Sequence, residues 1–160
     1  MTYYRILLFI TSAMLLGFSG CGPDNPDGRI NVTGTILLNG KPFEGDGAVV
    51  FSPQSGETDA GGQAPILNGK FFCTKRSAPK PGKYIVRLFS VQEYDSGTNQ
   101  PLRKLAAEGV RLEKGRKYLA KVIPDEFNVN STIEFEVIKG KRNVFRYDIV
   151  TDYKPSFDEQ

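Results

Sequence analysis

The chain has 160 residues and a formal net charge of +3 at pH 7, from 21 Lys and Arg against 18 Asp and Glu. This length suits one domain with a single core, and the near balance of charge argues against a nucleic-acid-binding protein. No histidine is present, so the most common general base and zinc ligand is missing. The 17 Gly, 10 Pro, 11 Phe and 7 Tyr favour β-structure with many turns.

Residues 1–20 have the architecture of a signal peptide, with one arginine ahead of an apolar run over 6–18. The run is too short to span a bilayer comfortably as a permanent helix. The string Phe18-Ser19-Gly20-Cys21 resembles the lipobox of bacterial lipoproteins, which implies cleavage before Cys21 and lipidation of its thiol. An ordinary secretory signal, with Cys21 free to pair with Cys73, and a plain transmembrane anchor are the alternatives.

Residues 21–28 are predicted to be the lipidated cysteine and a flexible tether, because they are polar and rich in Gly and Pro. From residue 29 the sequence alternates between apolar and polar residues, which predicts a half-buried strand. This strand ends at Asn39-Gly40-Lys41-Pro42, where a turn is favoured. The apolar positions of the strand are Ile30, Val32, Ile36 and Leu38.

Two patterns in the middle of the chain predict paired strands. Asn68-Gly69 separates residues 64–67 from 70–73, and this dipeptide is typical of a tight type I′ hairpin. Residues 83–91 carry apolar side chains on both faces, which indicates a central strand.

Two further strands, 133–137 and 143–149, are expected to pair as an antiparallel hairpin. Residues 96–121 break the strand rhythm, although 102–107 are compatible with one or two helical turns. Because no helix is long enough for a βαβ crossover, the pattern predicts an all-β fold. We expect an antiparallel β-sandwich of about seven strands, transthyretin-like or immunoglobulin-like, over residues 29–151, with a polar tail at 152–160.

The string Val32–Pro42, followed by Ala48–Pro53, resembles the opening of carboxypeptidase regulatory-like (transthyretin-like) domains. Segments 68–71, 81–88 and 123–133 resemble, in order, parts of small planctomycete-type envelope lipoproteins. The resemblance implies a seven-stranded transthyretin-like sandwich and leaves the biochemical role open. One transthyretin-like relative hydrolyses hydroxyisourate with histidines and a carboxy-terminal Tyr-Arg-Gly-Ser motif, which this chain lacks, so that activity is not implied.

Cys73 would have no covalent partner once Cys21 is lipidated. Without histidine, a cation such as Lys75 or Arg76 would have to stabilise its thiolate. A buried structural thiol is therefore favoured over a nucleophile. No glycine-rich phosphate loop, nucleophile elbow or carboxylate pair is evident, so no catalytic residue, cofactor site or metal site is predicted.

Residues 103–121 carry a local excess of positive charge, with seven basic residues against Glu108 and Glu113. This excess predicts contact with an anionic envelope polymer or headgroup. The alternative is a solvated loop whose charges keep the domain soluble. The seven are Arg103, Lys104, Arg111, Lys114, Arg116, Lys117 and Lys121.

Together these features predict a non-catalytic, lipid-anchored protein of the cell envelope, facing the periplasm or the exterior. Its partners would be the membrane, through the lipid anchor, and an envelope protein or glycan, and no cofactor or nucleic acid is expected. The alternative is a carbohydrate- or solute-binding envelope lipoprotein that presents Phe89, Tyr94 or Tyr118 to sugar faces.

Overall fold

The computed structural model describes residues 25–57, 59–111 and 116–155. These residues form eleven strands, one α-helix and three short 3-10 turns. The strands are β1 (Val32–Leu38), β2 (Lys41–Pro42), β3 (Asp46–Pro53), β4 (Gly62–Leu67), β5 (Lys70–Cys73), β6 (Gly82–Phe89), β7 (Val91–Asp95), β8 (Gln100–Pro101), β9 (Lys117–Lys121), β10 (Ile133–Val137) and β11 (Asn143–Ile149). The helix is α1 (Leu102–Ala107), and the 3-10 turns are Pro26–Gly28, Lys75–Ser77 and Asp125–Phe127.

The larger sheet follows the order β10-β6-β3-β4-β5-β1-β11, with β2 added to β1, and it curls into a half-barrel. A smaller sheet, β8-β7-β9, continues from the end of β6. The predicted all-β sandwich is confirmed, but it has eleven strands where about seven were expected. One pair departs from the antiparallel prediction, because β1 and β11 run parallel. A parallel pair needs a long connection, and here the rest of the domain provides it.

Several local predictions are also confirmed. Asn68 and Gly69 both have positive φ, 50° and 73°, and they join β4 to β5 as a tight antiparallel hairpin. The strand β6 is central, since it pairs with β10 on one side and β3 on the other. The helical pattern at residues 102–107 forms α1.

The predicted hairpin between β10 and β11 was wrong. These strands follow each other in the chain, but β10 pairs with β6 and β11 pairs with β1, so they form the two ends of the curled sheet. The side chain of Asn143 explains the separation at the turn. It accepts the backbone N–H of Ile138 at 2.9 Å and donates to the carbonyls of Ile138 and Lys141 at 3.0 and 2.9 Å. A side chain therefore satisfies backbone groups that a continuing hairpin ladder would use.

Aromatic rings fill the inside of the curled sheet around Phe51, which lies in β3. Its ring centroid lies 6.1 Å from that of Phe71, 6.2 Å from that of Tyr84 and 5.9 Å from that of Phe135. The rings of Phe135 in β10 and Phe145 in β11 meet edge to face at 5.3 Å, a favourable arrangement for aromatic pairs. The two ends of the sheet are therefore joined inside the domain by side chains.

Gly34, in the middle of β1, makes this packing sterically feasible. It pairs with Phe71 of β5 on one side and with Phe145 of β11 on the other. A Cβ atom at Gly34 would lie 2.3 Å from the Phe145 carbonyl oxygen and 2.3 Å from a ring carbon of Phe71. Since backbone and a packed ring both stand in the way, no side chain fits there.

We predict that Gly34→Ala lowers the free energy of unfolding by about 3 kcal/mol, because the added methyl group must displace a core ring or a strand. Urea unfolding measures this change. Gly140→Ala is the control, since Gly140 has positive φ but nothing lies within 4 Å of the point that an added methyl group would occupy, and it should lose only about 1 kcal/mol. Equal losses in the two variants would contradict the steric explanation.

Candidate functional site

The amino-terminal segment is fixed to the domain from Asn25 onward. The Asn25 side-chain oxygen accepts the backbone N–H of Lys75 at 3.0 Å, and its amide nitrogen donates to the Asn31 side-chain oxygen at 2.6 Å. Residues 25–28, the second half of the predicted tether, thus lie against the domain. Cys21 itself lies outside the described residues, and only residues 22–24 separate it from Asn25.

Arg29 ties the incoming chain to two loops. Its guanidinium donates to the carbonyl oxygens of Asp59, Gly61 and Ala78 at 2.6, 2.8 and 2.7 Å.

We call the end of the larger sheet at which Arg29 lies the proximal end. The opposite end, which carries the smaller sheet and α1, is the distal end. The proximal end consists of residues 25–31, 54–57, 59–61, 74–83 and 138–142 with the adjoining strand termini.

Cys73 lies at the carboxyl end of β5 and is completely buried. Burial raises the pKa of its thiol to about 12, because the thiolate would lose its hydration in an apolar environment. The thiol therefore stays protonated at neutral pH and cannot act as a nucleophile there. The predicted burial of Cys73 is confirmed.

The described part of the predicted basic segment lies at the distal end, on α1, on β9 and at residues 111 and 116. Lys114 lies outside the described residues, and Arg111 is exposed. Arg103 donates to the Asn68 side-chain oxygen at 3.1 Å, which places α1 beside the β4–β5 turn. Lys104 lies 4.0 Å from Glu108.

Three acidic residues from outside the segment balance its charge. Lys117 lies 3.5 Å from Glu93, Lys121 lies 3.1 Å from Asp125, and Arg116 lies 3.6 Å from Asp95. Two of these carboxylates belong to β7, the partner strand of β9. The positive excess is therefore smaller in the fold than along the sequence, and binding of an anionic partner at this segment stays a prediction.

Asp95 is the buried carboxylate of this region. The Thr98 hydroxyl donates to it at 2.9 Å and the Thr98 backbone N–H at 2.8 Å. These bonds, assisted by Arg116, lower the pKa of Asp95, since they stabilise the charged form. Through these hydrogen bonds the Asp95 carboxylate closes the turn after β7, so its role is structural.

The aromatic residues considered for sugar binding are largely inside the protein. Tyr94 and Tyr118 are 7% and 6% exposed, and their ring centroids lie 5.8 Å apart in the smaller sheet. Phe89 is half-buried. Stacking on a sugar requires an exposed ring face, so this geometry does not favour the alternative function.

The sequence indicated none of the cavities of the described structure, of which two lie at the distal end and beside the last strands. One of about 260 Å³ lies between the smaller sheet, α1 and the start of β3, with Asp46, Glu93 and Arg103 in its wall. The other, of about 450 Å³, is the cleft between β10 and β11. Both arise from long-range strand placement, which local patterns do not reveal.

Within the ranges that the structure describes, no group of three or more metal-ligating side chains could hold a metal ion. None of the helices in those ranges is long and apolar enough to cross a membrane.

Comparisons with known proteins add little to this description. No protein family matches the chain, and no curated protein does. The chain is similar in structure to a 9R-lipoxygenase from Cyanothece PCC8801, with a TM-score of 0.35 and 11% sequence identity over 93% of this chain. It spans only 20% of that lipoxygenase chain. This similarity is too low to support any conclusion about activity.

The pKa of Cys73 predicts a loss of stability in alkali. Between its ordinary value of 9.0 and the folded value of about 12, the unfolded chain releases the thiol proton and the folded protein does not. This thiol therefore leaves the free energy of unfolding unchanged below pH 9. Above pH 9 it lowers the free energy of unfolding by about 1.4 kcal/mol per pH unit. Urea unfolding of wild type and Cys73→Ala should show wild type losing about 2 kcal/mol more than the variant between pH 8 and pH 10.5. If the difference in unfolding free energy between wild type and Cys73→Ala did not change with pH, the raised pKa of Cys73 would be contradicted.

Proposed function

We propose that this chain is a non-catalytic, lipid-anchored protein of the cell envelope, whose β-domain faces the periplasm or the exterior and contacts an envelope protein or glycan. The observation that carries the proposal is the position of Cys21. It follows an apolar run and the small residues Ser19 and Gly20, as in a lipobox. It also stands four residues ahead of Asn25, where the chain becomes fixed to the domain.

The environment of Cys73 supports lipidation of Cys21 rather than a disulfide. Cys73 is 0% exposed and faces the core, so a bond to Cys21 would require the incoming chain to enter the packed interior. Interior packing leaves no space for such a segment. Acylation of Cys21 instead needs only an exposed thiol near the membrane.

The non-catalytic part of the proposal rests on the chemistry of the available side chains. The chain has no histidine, its buried thiol has a raised pKa, and Asp95 is held as a carboxylate by hydrogen bonds. General acid-base catalysis needs groups that titrate near the working pH. These groups instead have pKa values displaced away from neutrality.

The β-domain itself offers strand edges for contact. Beside the cleft, β10 pairs only with β6 and β11 only with β1 among the described strands, and extended segments of partner proteins commonly bind strand edges left open in this way. The resemblance of the opening strand and turn to carboxypeptidase regulatory-like domains is compatible with a non-enzymatic module.

The test is the mass and the detergent partitioning of the protein expressed in a bacterium that processes lipoproteins. We expect wild type to lose residues 1–20, to gain the mass of acyl chains and to partition into detergent, because two acyl chains give stable membrane retention. Cys21→Ala should show neither cleavage before residue 21 nor acylation.

Cys73→Ala is the matched control and should be processed like wild type, since its thiol is inside the folded domain. A wild-type protein that is free of acyl mass and does not enter detergent would refute the lipid anchor. If Cys73→Ala lost acylation and Cys21→Ala kept it, the acylated residue would be Cys73 and the lipid anchor at Cys21 would be refuted.

A further inference from the structure

The fold concentrates positive charge at the proximal end of the domain. Three segments that are far apart in sequence meet there, because β1 and β11 start and β5 ends at this end of the sheet. The segments are residues 25–31, 74–83 and 138–142. This end carries eight cations and five carboxylates, among them Glu134, whose carboxylate accepts the Gln54 side-chain N–H at 3.0 Å. The cations are Arg29, Lys75, Arg76, Lys80, Lys83, Lys139, Lys141 and Arg142, and the carboxylates are Asp27, Glu57, Asp59, Glu134 and Glu136.

The distal end has a smaller excess. Its described residues comprise ten cations and nine carboxylates, including the basic segment singled out by the sequence and Arg87, whose guanidinium donates to the carbonyls of Asn128 and Val129. The cations are Lys41, Lys70, Arg87, Arg103, Lys104, Arg111, Arg116, Lys117, Lys121 and Lys154, and the carboxylates are Glu44, Asp46, Glu93, Asp95, Glu108, Asp125, Glu126, Asp148 and Asp152. Among the described residues, the end next to Asn25 is therefore the more positive of the two.

Most of the proximal cations are also free to meet a partner. Lys80 pairs with Asp59 at 2.6 Å, Lys83 lies opposite Glu136, and Arg29 is bound to carbonyl oxygens. The other five are exposed, and within the described part of the chain none of them forms a salt bridge. These five, which we call the basic face, are Lys75, Arg76, Lys139, Lys141 and Arg142.

Apolar side chains are exposed beside the basic face. Phe72 of β5 is 63% exposed and Val144 of β11 is 42% exposed, and they lie on either side of Thr33 in β1. Ile138, which precedes Lys139, is 37% exposed. An exposed aromatic ring among lysines and arginines is typical of a surface that enters a membrane–water interface.

We propose that the basic face, with Phe72 at its edge, rests on the anionic headgroups of the membrane that holds Cys21. This inference rests on the proposed function, because lipidated Cys21 places the proximal end close to the bilayer. The four residues from Cys21 to Asn25 reach at most about 14 Å. Asn25 bonds directly to the backbone of Lys75, so the tether keeps this part of the basic face near the headgroups.

The strength of such electrostatic docking depends on the number of cations and on the salt concentration. Each lysine or arginine near an anionic leaflet strengthens binding by about fivefold at physiological salt. Replacing three of them should therefore lower the ratio of docked to free domains by about 100-fold. High salt shortens the Debye length and should release the domain while the acyl chains stay inserted.

The experiment uses tryptophan as a position-specific probe, since the chain contains none. Phe72→Trp places one at the edge of the basic face, and Leu119→Trp places one at the distal end at a position of matched exposure, 60%. Each lipidated variant is reconstituted into phosphatidylcholine vesicles, with or without phosphatidylglycerol, that contain bromine-labelled acyl chains. Quenching of tryptophan by bromine reports contact with the bilayer.

We expect Phe72→Trp to be quenched on phosphatidylglycerol vesicles only, and Leu119→Trp on neither. Adding Lys139→Gln, Lys141→Gln and Arg142→Gln to Phe72→Trp should abolish the quenching. Adding Lys104→Gln, Arg111→Gln and Lys117→Gln, which removes the same charge from the distal end, should not. No quenching of Phe72→Trp, equal effects of the two triple replacements, or quenching of Leu119→Trp alone would each overturn the inference.

Flotation and intact mass first establish whether the protein on the vesicles is acylated, which separates the two proposals. If Cys21 is not acylated, the lipid anchor fails, and the cleaved protein is added to the same vesicles at low salt. Quenching of Phe72→Trp under those conditions would support the basic face without the anchor. Its absence would overturn the basic face as well.

Discussion

The structure depends on the contact between aromatic rings that holds the two ends of a curled sheet together. Phe51 lies at the centre, and rings from four other strands pack around it. Phe135 and Phe145 meet across the cleft where no backbone ladder joins β10 to β11. Gly34 leaves the space that the Phe71 ring and the Phe145 carbonyl oxygen occupy. The sheet can therefore curl into a half-barrel without closing, and its last two strands keep free edges.

This arrangement also decides which charges become neighbours. Strands that alternate in direction bring loops from distant parts of the sequence to the same end, so residues 74–83 and 138–142 surround the point where the chain enters β1. The same geometry brings Glu93 and Asp95 of β7 beside the cations of β9. The positive excess of a basic segment that stands out along the sequence becomes smaller, while scattered lysines and arginines form a positive surface next to Asn25.

Local features of the fold were predictable because they depend on neighbours in sequence. The Asn68-Gly69 turn, the central position of β6 and the short helix α1 each follow from backbone preferences or from alternation within a few residues. The pairing of β10 and β11 was not predictable in this way, since the Asn143 side chain satisfies the turn and each strand pairs with a strand distant in sequence. Burial of Cys73 was predicted because the chain has no histidine that could activate its thiol. The basic face could not be recognised, because its residues meet only through sheet topology.

The parallel pairing of β1 with β11 has a consequence for the order of folding. The first strand needs the last strand as its neighbour, and more than a hundred residues separate Val32 from its partner Asn143. Contacts between such distant parts of a chain form late and slowly. A chain that crosses a membrane from its amino terminus would present β1 long before β11 arrives, so the edge of β1 would stay open during export. Any factor that shields this edge would act before the carboxy-terminal strand emerges.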